Sequence, residues 1–347
     1  MNSRTIILTL CAGLLCLTLM GTAAVILTPA GAVGSAISRD GSVATVTGAG
    51  LQPSGATYGT TSIQTPSLSN DTYVGKQWSL DRVHIPATWT IKPRNEVVVA
   101  VLDSGIDTKH EDLAGTIISS VNLTTSSTAE DILGHGTHVA GIIAAGTNNG
   151  VGIAGTNRNV KLLNVKVADD NGDCSSIDVA NGIIWAADHG AKVINLSLTI
   201  TQPSAGLEPA VDYAWGKGAV VIAATGNGIN PAKSYPALYR NCIAVVGADA
   251  NDQMGTGLAG KEAIAAPGYN IFSTLPGNKY GYKSGSSMAA AYVSAAAALA
   301  FSAAQPGTGN LNDVIREQLW KSTEPIVSGM LTYRYINFEK LAASLQL

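Results

Sequence analysis

The amino-acid sequence predicts an α/β fold, a three-layer sandwich in which a mainly parallel central sheet is flanked by helices. Short apolar runs with the composition of fully buried strands alternate with longer helical patterns. The candidate strands are Val97–Leu102, Val160–Val167, Lys192–Leu198, Ala219–Ala224 and Ile243–Ala248. The candidate helices are Gly136–Ala145, Ile177–Asp188, Pro209–Lys217, Met288–Ala304 and Leu311–Lys321. This alternation implies right-handed crossovers and directs attention to the carboxyl ends of the strands, where functional groups collect.

Changes in composition divide the chain into three segments. Residues 1–32 contain an apolar run over residues 6–27 and a small-residue sequence that ends at Ala32, which is typical of a signal peptide. The run is also long enough to be an uncleaved membrane anchor. We expect cleavage near Ala32 and export of the protein. Residues 33–69, rich in Gly, Ser and Thr, are interpreted as a flexible linker or short leader, and residues 70–347 as a monomeric globular domain.

Composition and charge narrow the class of function. The chain has 46% hydrophobic and 13% charged residues and a formal net charge of −3. It has no block of Lys and Arg, so we expect no nucleic-acid partner. Cys174 and Cys242 are the two cysteines outside the targeting segment, and they fit a disulfide or two separate small apolar residues equally well.

A carboxylate and a histidine stand at the ends of predicted elements. Asp103 comes directly after the first buried strand, where a turn or capping aspartate is also common. His135 lies between two glycines at the start of an apolar helix. His135 and His138 have the spacing of a metal pair, but the remaining histidines offer no third zinc ligand at a matching spacing.

Two further motifs have the residue types of acyl-transfer chemistry. Ser287 opens an Ala-rich helix, where it is either a cap or a nucleophile beside the positive end of the helix dipole. Asn227 follows a buried strand, where it is either a turn residue or a donor to an oxyanion.

Together these four motifs resemble the subtilisin-like serine proteases, and most closely their thermitase-like branch. The resemblance covers nearly all of residues 70–347. It implies a serine endopeptidase that acts on polypeptides, with Ser287 as nucleophile, His135 as general base and acid, Asp103 as the orienting carboxylate and Asn227 in the oxyanion hole. It implies no metal in the chemistry. The alternative is a weak or inactive subtilase domain that binds peptides as a processing partner.

The chain departs from the family pattern beside the nucleophile and in the cleft. Ser286, Ala291 and Tyr292 replace the usual threonine, proline and histidine around Ser287. The predicted substrate-binding residues are Ser197, Leu198, Thr199 and Gly226. Thr199 and Ile200 replace two glycines there, and we expect their side chains to narrow the cleft unless the segment is an ordinary strand end.

The same resemblance implies a structural Ca²⁺ site. Its ligands would be two carboxylates, one amide and three loop carbonyls, from Asp71, Asp112, Asn149, Gly146, Val151 and Ile153. Oxygen ligands of this kind suit calcium. The alternative is that Asp112 is a helix cap and the Asn/Gly loop a plain turn.

Overall fold

The structure is a computed structural model, and it describes five short strands between residues 10 and 46 together with residues 69–227, 234–255, 262–304, 310–329 and 331–345. The chain divides into two compact units, residues 1–65 and 66–347. In the first unit the strands pair antiparallel in chain order: Leu10–Cys11, Leu14–Thr18, Ala23–Leu27, Gly34–Ser38 and Val43–Val46. The predicted signal segment, its cleavage near Ala32 and the linker lie largely outside the described residues and stay predictions.

In the second unit, one sheet contains nine of the described strands. They are β1 (Val97–Asp103), β2 (Ile117–Asn122), β3 (Val160–Lys166), β4 (Val193–Leu196), β5 (Val220–Ala224), β6 (Cys242–Ala248), β7 (Ala263–Pro267), β10 (Thr323–Ser328) and β11 (Leu331–Ile336). Their order is β10-β11-β7-β6-β5-β4-β1-β3-β2, and only β10 and β11 pair antiparallel. A separate antiparallel hairpin consists of β8 (Ile271–Leu275) and β9 (Lys279–Lys283).

Helices cover both faces of the sheet. They are α1 (Trp78–Arg82), α2 (His135–Ala144), α3 (Ser176–Asp188), α4 (Leu207–Gly216), α5 (Ser286–Ala303), α6 (Leu311–Lys321) and α7 (Phe338–Ser344). Successive side chains of a strand point to opposite faces. Accordingly, Val99 and Val101 of β1 pack in the core that contains α2 and α5, whereas Ala100 and Leu102 pack in the core that contains α3 and α4. The predicted three-layer α/β architecture is confirmed.

The strands that the sequence pattern missed lie mostly toward the margins of the sheet or outside it. All five predicted strands are present, with ends that differ by at most a few residues. The missed β2 is an edge strand whose side chains alternate between half-buried and exposed, so it lacks the continuous apolar run of a central strand. The β8–β9 hairpin and the β10–β11 pair also contain polar and exposed residues.

Helix α5 is the central helix of the larger core. Among the described residues it alone is long and apolar enough to cross a membrane, but 94% of it is buried within the protein. Its many alanines leave little side-chain bulk between the helix and the strands β4, β5 and β6 that it contacts. The composition of this helix is therefore explained by its place in the core.

Tyr292 ties α5 to the N-terminal helix α1. It is 1% exposed, and its hydroxyl lies 2.6 Å from Ser79 Oγ, a hydroxyl that is also buried. The tyrosine that replaces the family's usual histidine therefore has a definite partner. Cys174 and Cys242, in contrast, are not joined in a disulfide: Cys174 lies beyond β3 and Cys242 begins β6.

We expect Tyr292→Phe to lower the free energy of unfolding by about 1–2 kcal/mol, because the buried Ser79 hydroxyl would lose its partner. Urea unfolding of the purified protein would measure this. The matched control is Tyr213→Phe, which removes an exposed hydroxyl from Asp188 at 2.7 Å and should change stability by less than about 0.5 kcal/mol. Equal effects of the two changes would contradict the expectation.

Candidate active site

The candidate catalytic residues converge at the carboxyl edge of the central sheet. Strands β5, β4 and β1 lie side by side in parallel, so their carboxyl ends open at the same edge. Asp103 is the last residue of β1, Ser197 follows β4, and Asn227 lies shortly after β5. His135 and Ser287 stand in the first turns of α2 and α5. This edge is where a parallel sheet gathers functional groups.

Asp103 and His135 form a hydrogen-bonded pair. His135 Nδ1 lies 2.7 Å from Asp103 Oδ1, and the Ser104 backbone N–H donates to the same oxygen at 2.7 Å. Asp103 is buried, whereas the His135 side chain is 28% exposed. Burial lowers the pKa of His135, but the Asp103 carboxylate outweighs burial and holds the pKa above its ordinary value of 6.5. Because Nδ1 donates to the carboxylate, Nε2 is the ring nitrogen that can accept a proton.

Two glycines let the backbone segments of the site approach one another. A Cβ atom at Gly136 would clash with the Gly105 carbonyl oxygen and lie 2.9 Å from Asp103 Cβ. A Cβ atom at Gly285 would lie 2.7 Å from Asn227 Nδ2. Because Gly136 has no side chain, α2 can begin close to the end of β1. Because Gly285 has none, the Asn227 side-chain amide can approach the start of α5.

His138 points away from His135 into the hairpin. Its Nε2 donates to the carbonyl oxygens of Ile271 and Gly281, at 3.0 and 3.1 Å. Burial lowers the pKa of His138 to about 3, so the ring is neutral. His138 Nε2 is engaged with backbone carbonyl oxygens, and His135 Nδ1 is engaged with Asp103. The two rings are therefore not arranged as a pair of zinc ligands: His138 has a structural position, and His135 has that of an acid-base group.

Ser287 is the one residue of α5 that is not buried. Its Oγ donates to the Ser197 carbonyl oxygen at 2.9 Å, and Ser197 Oγ donates to the Ser287 carbonyl oxygen at 2.9 Å. Within the described part of the chain, no hydrogen bond joins Ser287 Oγ to His135. The Ser287 hydroxyl must therefore rotate from the Ser197 carbonyl oxygen toward His135 before it can give up its proton. In enzymes, hydrogen bonds between catalytic residues often form fully only when substrate is bound.

Ser286 and Asn227 are linked by a hydrogen bond at the start of α5. Ser286 is 2% exposed, and its Oγ accepts a hydrogen bond from the Gly226 N–H at 3.0 Å. The Ser286 N–H donates to Asn227 Oδ1 at 2.9 Å, which fixes the orientation of the amide. The adjacent serines thus have different surroundings: Ser286 is a buried structural residue, and only Ser287 reaches the cleft.

The predicted substrate-binding residues lie together beyond the ends of β4 and β5: Ser197, Leu198, Thr199 and Gly226. A Cβ atom at Gly226 would lie 3.2 Å from Thr199 Cγ2 and 3.8 Å from Ser234 Oγ. Ile200, the residue after Thr199, pairs with Tyr235 through two backbone hydrogen bonds of 2.8 and 3.0 Å. The Thr199 side chain thus lies close to Gly226.

The residues predicted to bind calcium also come together in the structure. The Asn149 N–H donates to Asp71 Oδ1 at 2.9 Å, and Asn149 Nδ2 donates to Asp112 Oδ1 at 3.0 Å. The Ile153 N–H donates to Asp112 Oδ2 at 2.8 Å, and the Gly146 N–H donates to the Asp112 carbonyl oxygen at 2.8 Å. Burial, with a contribution from Asp71, raises the pKa of Asp112 to about 6.

Three carbonyl oxygens of this loop accept no hydrogen bond from any described residue: those of Gly146, Val151 and Ile153. Ile153 is fully buried, and buried acceptors are normally paired. Across the described residues, no group of three or more His, Cys, Asp or Glu side chains could hold a metal ion. A cation here would therefore depend on backbone oxygens as well as the two carboxylates, and this donor set fits calcium.

Sequence reasoning missed the groups that support the Asp103–His135 pair. Asp131 accepts a hydrogen bond from Ser104 Oγ at 2.9 Å, and Lys166 Nζ donates to the Ser104 carbonyl oxygen. Asp131 precedes the glycine–histidine motif by a few residues, which is a weak signal in one sequence. Its partner lies on another element, so the contact could not be read from local spacing.

Comparisons with known proteins agree with this geometry. A profile described as the subtilase family of peptidases S8 matches residues 94–332. Thermitase of Thermoactinomyces vulgaris is 41% identical over 268 residues, which cover 76% of this chain and 94% of thermitase.

Two further relatives are a thermophilic serine proteinase of Bacillus sp. (strain AK1) and subtilisin BL of Lederbergia lenta. The first is 41% identical over 76% of this chain and 66% of its own length. The second is 44% identical over 64% of this chain and 82% of its own length. On the strength of the profile and these relatives, the chain belongs to the subtilase family and is a serine endopeptidase.

Proposed function

We propose that Ser287, His135, Asp103 and Asn227 carry out the peptide-bond hydrolysis of this subtilase. The observation that carries the proposal is the meeting of the Asp103–His135 hydrogen bond and the only unburied residue of α5 at one edge of the sheet. The inactive peptide-binding alternative is not favoured, because the relatives are named proteases.

The roles follow from the hydrogen bonds of each residue. Ser287 Oγ attacks the peptide carbonyl carbon while His135 Nε2 takes its proton, and the buried Asp103 carboxylate stabilises the imidazolium that results. Asn227 Nδ2 and the Ser287 N–H, at the positive end of α5, stabilise the oxyanion. His135 then gives its proton to the leaving amine, and water repeats these steps on the acyl-enzyme.

Replacing Ser287 by Ala should abolish labelling by a fluorophosphonate and lower kcat by about a million-fold, a magnitude carried over from subtilisin. Gel fluorescence of the labelled protein and hydrolysis of a peptide substrate would measure both effects. Ser286→Thr is the matched control, because it keeps a hydroxyl at the adjacent position and should retain labelling. Normal labelling of Ser287→Ala would mean that another residue is the nucleophile.

We also propose that Thr199 restricts the residue whose carbonyl is attacked to small side chains. That carbonyl must lie between Ser287 Oγ and Asn227, so its side chain enters the gap between the ends of β4 and β5. The support is the closeness of Thr199 to Gly226, where a Cβ atom would lie 3.2 Å from Thr199 Cγ2 and 3.8 Å from Ser234 Oγ.

Thr199→Gly should therefore raise kcat/KM for peptides with phenylalanine at that position by tenfold or more, relative to alanine at the same position. Hydrolysis of two peptides that differ only in this residue would measure the ratio. The alanine peptide is the internal control for general damage to the site. An unchanged ratio would show that Thr199 does not limit the pocket.

A structural calcium ion is a further part of the proposal. Asp71, Asp112, Asn149 and the carbonyl oxygens of Gly146, Val151 and Ile153 would hold it. The support is the set of carbonyl oxygens without a described donor next to two carboxylates, both of them buried. Such an ion would stabilise the folded state without entering the reaction.

Removing calcium with a chelator should lower Tm by about 5–10 °C, if the ion is otherwise present at about a hundred times its Kd. Scanning calorimetry with and without added Ca²⁺ would measure this shift. Asp112→Asn should remove the response. Asp249→Asn is the control, because Asp249 is a turn carboxylate outside the loop that accepts two backbone N–H groups. A Tm that does not change with calcium would contradict the site.

The proposed location of the enzyme rests on the apolar N-terminal segment over residues 6–27. We propose a secreted or otherwise exported protein with polypeptide substrates, which acts as a monomer. Attachment to a membrane would require that the N-terminal apolar segment stays uncleaved.

A further inference from the structure

Asp131 is a buried carboxylate in the loop before α2 that the proposed chemistry does not use. It is 3% exposed and accepts four hydrogen bonds. These come from Ser104 Oγ at 2.9 Å, the Gly134 N–H at 2.8 Å, the Thr137 N–H at 2.8 Å and Thr137 Oγ at 2.7 Å. Burial of a charged group is costly unless such bonds compensate it, so this arrangement needs an explanation.

The two oxygens of Asp131 have different partners. Oδ2 binds only Thr137, in the first turn of α2, and this alone would satisfy an N–H at the start of the helix. Oδ1 binds Gly134 and also Ser104, which is 27 residues away in the chain. A helix cap does not require that second, distant contact.

The contacts of Asp131 reach both members of the Asp103–His135 pair. Ser104 directly follows Asp103, and its N–H donates to Asp103 Oδ1 at 2.7 Å. Gly134 directly precedes His135 in the chain. The buried Asp131 carboxylate thus binds both the segment that contains Asp103 and the segment that contains His135.

Ser104 is also held from other sides. Lys166, which is fully buried, donates through Nζ to the Ser104 carbonyl oxygen and forms an ion pair of 2.9 Å with Asp170. The Gly136 N–H, in the first turn of α2, donates to Ser104 Oγ at 3.1 Å. These hydrogen bonds leave Ser104 little freedom to rotate. Because the Ser104 N–H donates to Asp103 Oδ1, the position of Ser104 also affects the orientation of the Asp103 carboxylate.

Asp131 also acts on His135 through charge. The charged and titratable groups that face His135 are Asp103, Asp131 and Lys283, with His138 one turn along α2. The two carboxylates favour the imidazolium, and Lys283 opposes it.

We propose that Asp131 is a positioning residue for catalysis, which fixes Asp103 and His135 relative to each other through Ser104 and Gly134. The inference rests on the proposed roles of Asp103 and His135. It adds a second carboxylate to the site, one that touches neither the substrate nor the reacting atoms.

The test is Asp131→Asn, examined by steady-state kinetics over a range of pH. We expect kcat to fall about 10- to 100-fold with KM nearly unchanged, because the substrate-binding segments are not contacted by Asp131. His135 must be neutral to accept a proton, so kcat/KM of the unaltered enzyme should fall as pH drops through an apparent pKa above 6.5. Removing a nearby negative charge should move this acid limb to lower pH.

A second variant covers the case in which Asp131→Asn fails to fold. Ser104→Ala removes the hydrogen bond between Asp131 and the segment that contains Asp103. It leaves the charge of Asp131 and its hydrogen bonds to Thr137 of α2 in place. It should lower kcat with KM retained and leave the acid limb where it was. The matched control is Asp178→Asn, which disrupts a similar serine–aspartate pair, Ser175 Oγ to Asp178 Oδ2 at 2.7 Å, at the start of α3. This control should leave the kinetics and the pH profile unchanged.

The outcomes separate this inference from the proposed function. If folded Asp131→Asn keeps the kcat and the acid limb of the unaltered enzyme, or if Ser104→Ala keeps its kcat, Asp131 is a helix cap only and the inference is overturned. If the unaltered enzyme fails to react with a fluorophosphonate, the proposed catalytic roles fail first.

Discussion

Parallel pairing of the central strands is the constraint on which the site depends. The registers of β1 with β4 and of β4 with β5 bring their carboxyl ends to one edge. That edge carries Asp103, Ser197 and Asn227 on three adjacent strand ends. Because the backbone hydrogen bonds of the sheet fix this spacing, α2 and α5 need only supply His135 and Ser287 from their first turns for the site to assemble.

Packing of α5 gives the nucleophile its place. Every residue of this helix but Ser287 is buried, so the helix cannot shift or rotate without disturbing the core. The departures from the usual family pattern around Ser287 are accommodated within this core. Ser286 accepts a part-buried hydrogen bond, Tyr292 makes a buried one, and Ala291 is fully buried. The changes therefore alter how α5 is anchored and leave the residue types of the proposed chemistry in place.

The site is surrounded by buried charges that have structural tasks. Asp131 and Lys166 hold Ser104 from two directions, while Asp112 accepts hydrogen bonds from the loop that we associate with calcium. Buried charges contribute little net stability when paired, but removing one partner is costly. Asp131 and Lys166 therefore restrict the backbone around Asp103 more than they stabilise the fold as a whole.

The sequence by itself determined the three-layer fold, the central strands and the residue types of the site, because buried parallel strands and glycine-flanked motifs leave local patterns. The family resemblance also indicated the residues that come together around Asp112 and the loop 146–153. Only the tertiary structure decided that Ser287 Oγ donates to the Ser197 carbonyl oxygen, that the Thr199 side chain lies beside Gly226, and that Asp131 accepts a hydrogen bond from Ser104. These contacts join residues far apart in the chain, and whether they form depends on strand register and close packing, which no local pattern encodes.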